Sequence, residues 1–429
     1  MVQILPFAGW RYDLSQVGAL SEVTAPPSMI VDETLQRILY RQHPCNAIRL
    51  VMNREEPGDA TTQARSWRAD EFWRLWKREG ILLHEHENAL YIVETTFQMG
   101  GQERTRWSVL CRLSLLQDSE SPDGTVRVLV QPTSQEIARA TELRRICKAS
   151  LTPAVALLTD VTGQDSDPRS LSDHFENVVR QTPPVECIED DGTRHRVWPM
   201  TNQDARTELT QRLAMFSICM IGGVAEYQAA KATKEISSSK DPNNPGRTTL
   251  VCLIPADDPG VEFLPHVSLL TVSPSLTTAD VQRILSAELT CQAVGNEITA
   301  GEDAAELAGL NAQQPCLALG TPDGWWIIVS PPVTNSPMPS ADLVQKVSQL
   351  IMADGANSGG PVTQRLPLSG RDFGKFLHQS KTKGLLMVEP AWAAPDLVSR
   401  SPDDPLLPEA SIRLHPSVPT GLVYSDMGC

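Results

Sequence analysis

"MIGGVAEYQAA", residues 220–230, decides how the chain is read. An apolar run, Met215-Phe216-Ser217-Ile218-Cys219-Met220-Ile221, meets two glycines, and a helix-forming stretch from Glu226 follows at once. Strand, glycine turn and helix start make a natural phosphate cradle. The first backbone N–H groups of a helix have no intrahelical acceptor, and the helix dipole favours an anion there. Yet the turn itself holds no Lys, Arg, His or Asp. It has the backbone of a phosphate site without its side chains.

The rest of the chain supplies strands and helices in irregular alternation. "ALYIVETTFQ" (89–98) and "RWSVLCRLSLL" (106–116) read as a hairpin turning at "MGGQE", and "CLALG…GWWIIVS" (316–330) reads as another. Further strands are expected at 125–133, 153–160, 191–200, 248–258 and 261–272. Helices are expected at 32–42, with Asp32 as N-cap and Leu35, Ile38 and Leu39 on one face, and at 62–79, stopping at Gly80. Others fall at 134–150, 202–213, 277–290 and 340–353. The class is α/β, mixed α+β, with a mixed sheet and hairpins. The polar loop at 163–170 marks a boundary and 237–247 is the most loop-like stretch; three regions are expected, 1–162, 163–275 with the glycine turn, and 276–429.

Composition narrows the function. Fifty-two acidic against 37 basic residues give a formal net charge of −15, which repels nucleic acid unless a basic stripe overrides it. The most basic stretches, 65–78 and 139–148, mix in acidic residues, so no nucleic-acid partner is expected. No run approaches the ~18 apolar residues of a membrane span. Nine scattered cysteines with no Cys-x-x-Cys pair, and no signal-like start, predict a cytoplasmic protein with reduced thiols. Trp67, Phe72, Trp73, Leu75 and Trp76 at helical spacing read as a packed face.

Recognisable catalytic signatures are missing. Gly-x-Ser-x-Gly, the Walker A loop and His-Glu-x-x-His do not occur. "HEH" at 84–86 offers two imidazoles on one strand face but no third and fourth ligand, so no metal site is assigned. His174 and His195 stand alone in sequence, and a general base needs a partner that sequence does not place. No residue is assigned as catalytic.

The order of segments resembles the bacterial and archaeal family called domain of unknown function 1015. "LPFAGWRYD" (5–13) and "VGALSEVTAPPSMIV" (17–31) are similar to its Pro-Phe opening and Ala-Pro-Pro-Tyr-Asp-Val segment. "NAIRLVMNREEPGD" (46–59) is similar to its Arg-Leu and Pro-Gly-Asp block, and "DGTRHRVWPM" (191–200) to its Gly-x-Arg-His-x-x-Trp stretch. "HPSVPTGLVYSD" (415–426) is similar to its closing segment. The family's Ile-Ala-Asp-Gly-His-His-Arg-Tyr-Glu motif falls within residues 219–228. Gly222 stands for its Asp, Gly223 keeps its Gly, Val224 and Ala225 replace the two His, Glu226 replaces Arg, and Tyr227 is kept. Similar motifs in ParB-related proteins, including free-serine kinases, lie at a nucleotide-phosphate site, so the resemblance implies a ParB-like phosphate-binding core.

That implied chemistry meets altered residues here. A carboxylate at 226 opposes a phosphate where the family has a cation, a reversal worth several kcal/mol at close range. Ser28 and Met29 replace Tyr-Asp after the twin prolines. Thr133 survives in a segment that lacks the family's His-Glu, and Ala410 and Ile412 stand in for a Lys and a Thr. The expectation is a non-catalytic ligand-binding or regulatory relative. Its candidate ligand-binding residues are Gly222, Gly223, Glu226, Tyr227, Ser28 and Thr133, and its partner is a small anion or a paralogous protein. The alternative is a small-molecule-kinase-like enzyme using a nucleotide with Mg²⁺. In it, Glu226 is base or metal ligand, with help from Glu136, Glu142 or Asp160; whether the charge lost at 222–226 is supplied by distant residues such as Arg139, Arg144 or Arg212 is left open by the sequence.

Overall fold

The computed structural model describes residues 3–59, 61, 63–99, 101–115, 125–160, 169–179, 183–233, 244–271, 276–295, 316–321, 326–331, 340–353, 362–367, 384–389, 391–401, 404–408 and 411–427. Two compact units divide the chain. The first comprises Met1–Glu262, Ala394–Glu409 and Pro416–Cys429; the second comprises Phe263–Ala393 and Ala410–His415. The boundary expected at 162/163 and most of the loops at 163–170 and 237–247 lie outside the described residues, and that at 275/276 stands at their edge.

In the first unit the chain runs β1 (Ile4–Leu5), α1 (Glu33–Gln42), α2 (Ile48–Val51), α3 (Gln63–Arg78), β2 (Leu90–Met99), β3 (Gln102–Ser114), β4 (Val126–Val128), α4 (Ser134–Cys147), β5 (Ala149–Ser150) and β6 (Ala154–Asp160). It continues with β7 (Val185–Ile188), β8 (Arg194–Met200), α5 (Gln203–Leu213), β9 (Phe216–Gly222), α6 (Val224–Thr233) and β10 (Thr248–Pro255). One mixed sheet has the order β7-β8-β2-β3-β10-β6-β9-β4, with β1 beside β3. The pairs β10/β6 and β9/β4 are parallel and the others antiparallel. Central β10 reads "TTLVCLIP" and is buried at every residue. A continuous apolar run suits a strand covered on both faces.

The second unit holds β11 (His266–Thr271), α7 (Thr278–Leu285), β12 (Thr290–Gly295), β13 (Leu317–Gly320), β14 (Trp326–Ser330), α8 (Ser340–Ala353), β15 (Val362–Pro367) and β16 (Gly384–Glu389). Its sheet runs β12-β14-β13-β16-β11-β15, antiparallel at each pairing. Alternate residues, among them Leu270, Leu319, Ile327 and Met387, form one core with Val281 and Leu285 of α7 and Leu343, Val347 and Ile351 of α8. No helix among the described residues is long and apolar enough to cross a membrane.

Several sequence expectations need correction. The helix from Ser134 ends at Cys147 rather than 150, because Lys148 adopts a left-handed conformation (φ 47°) that releases Ala149 and Ser150 into a strand. They pair there with β17 (Ser425–Asp426) of the closing segment. On α1 the buried residues are Leu39 and Tyr40, while Ile38 is 56% exposed. Trp73 and Trp76 of α3 are buried as a packed face, but Trp67 is 54% exposed. The strand expected at 125–133 is broken into Val126–Val128 and Val130–Gln131. That expected at 261–272 is likewise broken, into Glu262–Phe263 and His266–Thr271.

Candidate functional site

The strand–glycine–helix unit forms as its sequence indicates. β9 ends at Gly222, Gly223 turns the chain, and α6 begins at Val224, with Tyr227 N–H donating to the Gly223 carbonyl at 3.2 Å. The two glycines differ. Gly223 has φ +61°, and a Cβ there would lie 2.8 Å from both the Pro153 carbonyl oxygen and the Ala154 Cα at the start of β6. Glycine at 223 is demanded by conformation and by backbone packing, without any ligand. Gly222 would place a Cβ 3.8 Å from Val155 Cβ, an ordinary contact.

Glu226 stands in the first turn of α6 and keeps some accessible surface. Its carboxyl is nevertheless closely surrounded by protein. Burial pushes its pKa up, against a hydrogen bond from its own backbone N–H and the field of Arg139, while Glu136 adds to the rise. Arg139, on α4, directs Nη2 to the Val51 carbonyl oxygen at 2.6 Å and acts on Glu226 through space. Of Arg139, Arg144 and Arg212, Arg139 is the one whose field reaches Glu226. The turn offers an incoming phosphate a carboxylate, and the nearest cation already answers that carboxylate and the α2 backbone.

Tyr227 is 2% exposed, with the Lys231 ammonium 5.4 Å from its ring centroid, so it faces the core. Thr133 caps α4: its Oγ1 accepts from the Glu136 backbone N–H at 3.3 Å, and Glu136 Oε2 accepts from the Thr133 N–H at 2.7 Å. This reciprocal pair satisfies two of the free donors of the helix start. Thr133 belongs to the neighbourhood of Glu226 through Glu136, whose field reaches both Glu226 and Arg139. Ser28 opens a short 3-10 turn and accepts from Val31 N–H at 3.2 Å, a local role. Asp160 pairs with Phe216 and Val155 with Gly222, so Asp160 lies at the far end of β6, roughly 20 Å along the strand from the turn. It cannot assist Glu226. Glu142 lies six residues beyond Glu136, about 9 Å along α4.

Of the two isolated histidines, His195 finds partners, whereas Nε2 of His174 is buried without a hydrogen-bond partner among the described residues. His195 is fully buried, with Nδ1 3.0 Å from Thr95 Oγ1 and Nε2 3.1 Å from Glu189 Oε1. Nucleophile, imidazole and carboxylate are thus in line, but Thr95 is itself inside the sheet, where no substrate reaches it. His84 packs on Trp10 at 4.7 Å, and Glu85 pairs with Arg11. Among the described residues no group of three His, Cys, Asp or Glu is arranged to hold a metal.

Comparison with known proteins adds a family. The model of the family described as "Protein of unknown function (DUF1015)" matches residues 4–355. The similar closing stretch at 415–426 lies beyond that match. No curated protein matches. A solved structure described as a conserved hypothetical protein from Pyrococcus furiosus is similar, at 11% identity and a TM-score of 0.33, over 70% of this chain and 90% of that one.

Proposed function

The chain belongs to the DUF1015 family of proteins of unknown function, and on that premise we propose that it is a non-catalytic member, a ligand-binding or regulatory protein whose phosphate-type turn no longer carries chemistry. The observation that supports this reading is the Glu226 carboxylate in the first turn of α6, under the field of Arg139. A carboxylate at a helix N-terminus satisfies the dipole that a phosphate would otherwise satisfy. The turn then survives because Gly223 is needed for packing against Pro153 and Ala154. In this reading the unit descends from a ParB-like phosphate-binding core, and its present partner is a small anion or a paralogous protein.

The test is calorimetry with ATP and ADP, with and without Mg²⁺, beside an assay for phosphoryl transfer. The expected result is no turnover and no nucleotide binding that depends on residues 222–228. Transfer abolished by Glu226→Gln would sink the proposal.

One observation favours a second reading. A carboxyl whose pKa is raised by burial is what a general base requires. In that reading the chain is an altered phosphoryl-transfer enzyme with Glu226 as base. An activity found with any nucleotide, lost in Glu226→Gln and kept in Glu142→Gln, would select it.

A further inference from the structure

A second cluster of charge lies at the other end of the α4/α6 pair, about 15 Å along α6 from Gly223. Arg144, in the last turn of α4, is 5% exposed. Its Nε donates to Thr233 Oγ1 at 3.0 Å, its Nη2 to the Thr248 carbonyl oxygen at 2.7 Å, and its Nη1 to Ser150 Oγ. All three acceptors are neutral. Arg112, on β3, donates from Nε to Ser425 Oγ at 2.7 Å and from Nη2 to the Asp426 carbonyl oxygen at 2.6 Å. Ser150 and Ser425 are directly opposed in the β5/β17 pair, so the two guanidinium groups meet over one pair of hydroxyls.

Among the described residues the charges here do not balance. Among the described residues the carboxylate whose field reaches Arg112 is that of Asp426, which Lys77 Nζ also holds at 2.7 Å. The charged group acting on Arg144 is Arg112 itself, and repulsion adds to burial in lowering its pKa to about 9. Among the described residues, Arg112 and Lys77 share the Asp426 carboxylate, and no carboxylate is paired with Arg144. The carbonyl ends of α4 and α6 offset part of the charge on Arg144, as a helix C-terminus does for any cation, but they supply only partial charges. A buried guanidinium otherwise calls for a full counter-anion.

Two unused donors complete the picture. Ser114 lies two residues beyond Arg112 on the same face of β3, opposite Thr248, and its Oγ is buried with no hydrogen-bond partner. Arg247 Nε, next to Thr248 in sequence, is also buried without a partner. Buried polar atoms are rarely left unsatisfied, so a missing acceptor is the economical explanation. Arg112 keeps part of its surface open to solvent, which gives an anion a way in.

We infer that Arg112, Arg144 and Ser114 form a binding site for a small tetrahedral oxyanion, of the phosphate or sulfate class, separate from the turn at Gly223. The anion accepts from both guanidinium groups and from the Ser114 hydroxyl, and neutralises the pair. The site does not rest on the reading of Glu226.

The test uses the full chain, freed of phosphate and sulfate. It is titrated by calorimetry with inorganic phosphate and, separately, with sulfate, and its thermal unfolding in each salt is compared with chloride at matched ionic strength. Saturable binding and a raised Tm are expected, the tighter anion naming the occupant. Arg112→Gln should weaken binding at least about tenfold and Ser114→Ala about fivefold. Ser114→Ala removes only a hydroxyl, so it remains informative if Arg112→Gln fails to fold. Absence of saturable binding at millimolar anion, or binding indifferent to Ser114→Ala, overturns the inference. Binding changed by Glu226→Gln but not by Ser114→Ala would instead place the anion at the Gly223 turn.

Discussion

The phenol oxygens of Tyr12 and Tyr424 lie 3.0 Å apart, joining residues separated by 412 positions. Tyr12 donates to the Cys45 carbonyl at 2.9 Å, which leaves its oxygen to accept from Tyr424. Tyr424 also packs edge-on against Trp73 at 5.5 Å and exchanges backbone hydrogen bonds with Trp10 at 2.9 Å. The closing segment is therefore core of the first unit, although the family match stops at residue 355. Tyr424→Phe should cost about 1 kcal/mol and Tyr424→Ala about 3–5 kcal/mol, measured by denaturant unfolding. An unchanged midpoint for Tyr424→Ala would show that the segment is not packed.

The same pair sets an alkaline limit. Burial raises the pKa of both phenols above the ordinary value near 10, and for Tyr12 the neighbouring phenol adds to the rise. The folded state therefore favours the protonated phenols. Their contribution is fully present below pH 10 and is lost as pH rises beyond it. Tm should fall steeply above pH 10, and the Tyr12→Phe, Tyr424→Phe double variant should show a shallower fall. Equal slopes would remove the phenols as its cause.

The two glycines of the turn should respond oppositely. Gly223→Ala forces an L-residue to φ +61° against backbone 2.8 Å away and should cost about 2 kcal/mol or more. Gly222→Ala meets only an ordinary contact and should stay within about 0.5 kcal/mol of the parent. Similar losses at both positions in urea melts would contradict the packing account.

Glu226→Gln tests the buried carboxylate. The raised pKa means that the folded state disfavours the charged form, so the residue's adverse effect is absent at low pH and grows as pH passes from the ordinary carboxylate value through the raised one. The glutamine variant should be the more stable protein at pH 7, with the two Tm values converging toward pH 4. A glutamine variant less stable at pH 7 would mean that the field of Arg139 outweighs burial.

Local pattern made much of this legible. Asp32 caps α1, Gly80 (φ +71°) follows the end of α3, and both hairpins pair where alternation and turn residues placed them. Periodicity misjudged Ile38, because an amphipathic stripe says which residues can be buried and not what covers them. The helix from Ser134 was legible in its capping box but not in its end, since Lys148 turns to let Ser150 pair with a residue of the closing segment. For the candidate site, sequence singled out Gly223 and Glu226 and left open whether distant arginines such as Arg139, Arg144 or Arg212 add charge there. Packing of α4 on α6 selected Arg139 and sent Arg144 to the opposite end.

By itself the sequence determined most of the elements, the mixed α/β class, the family and the carboxylate at residue 226. Those follow from periodicity, capping and residue identity, which act over a few neighbouring positions. Only the tertiary structure decided that Gly223 answers to Pro153, that Tyr12 bonds Tyr424, and that Arg112 and Arg144 meet over the hydroxyls of Ser150 and Ser425. Each joins segments that no local rule connects. Burial, which sets the strength of every charge and the cost of every unpaired donor, exists only once those segments have closed on one another.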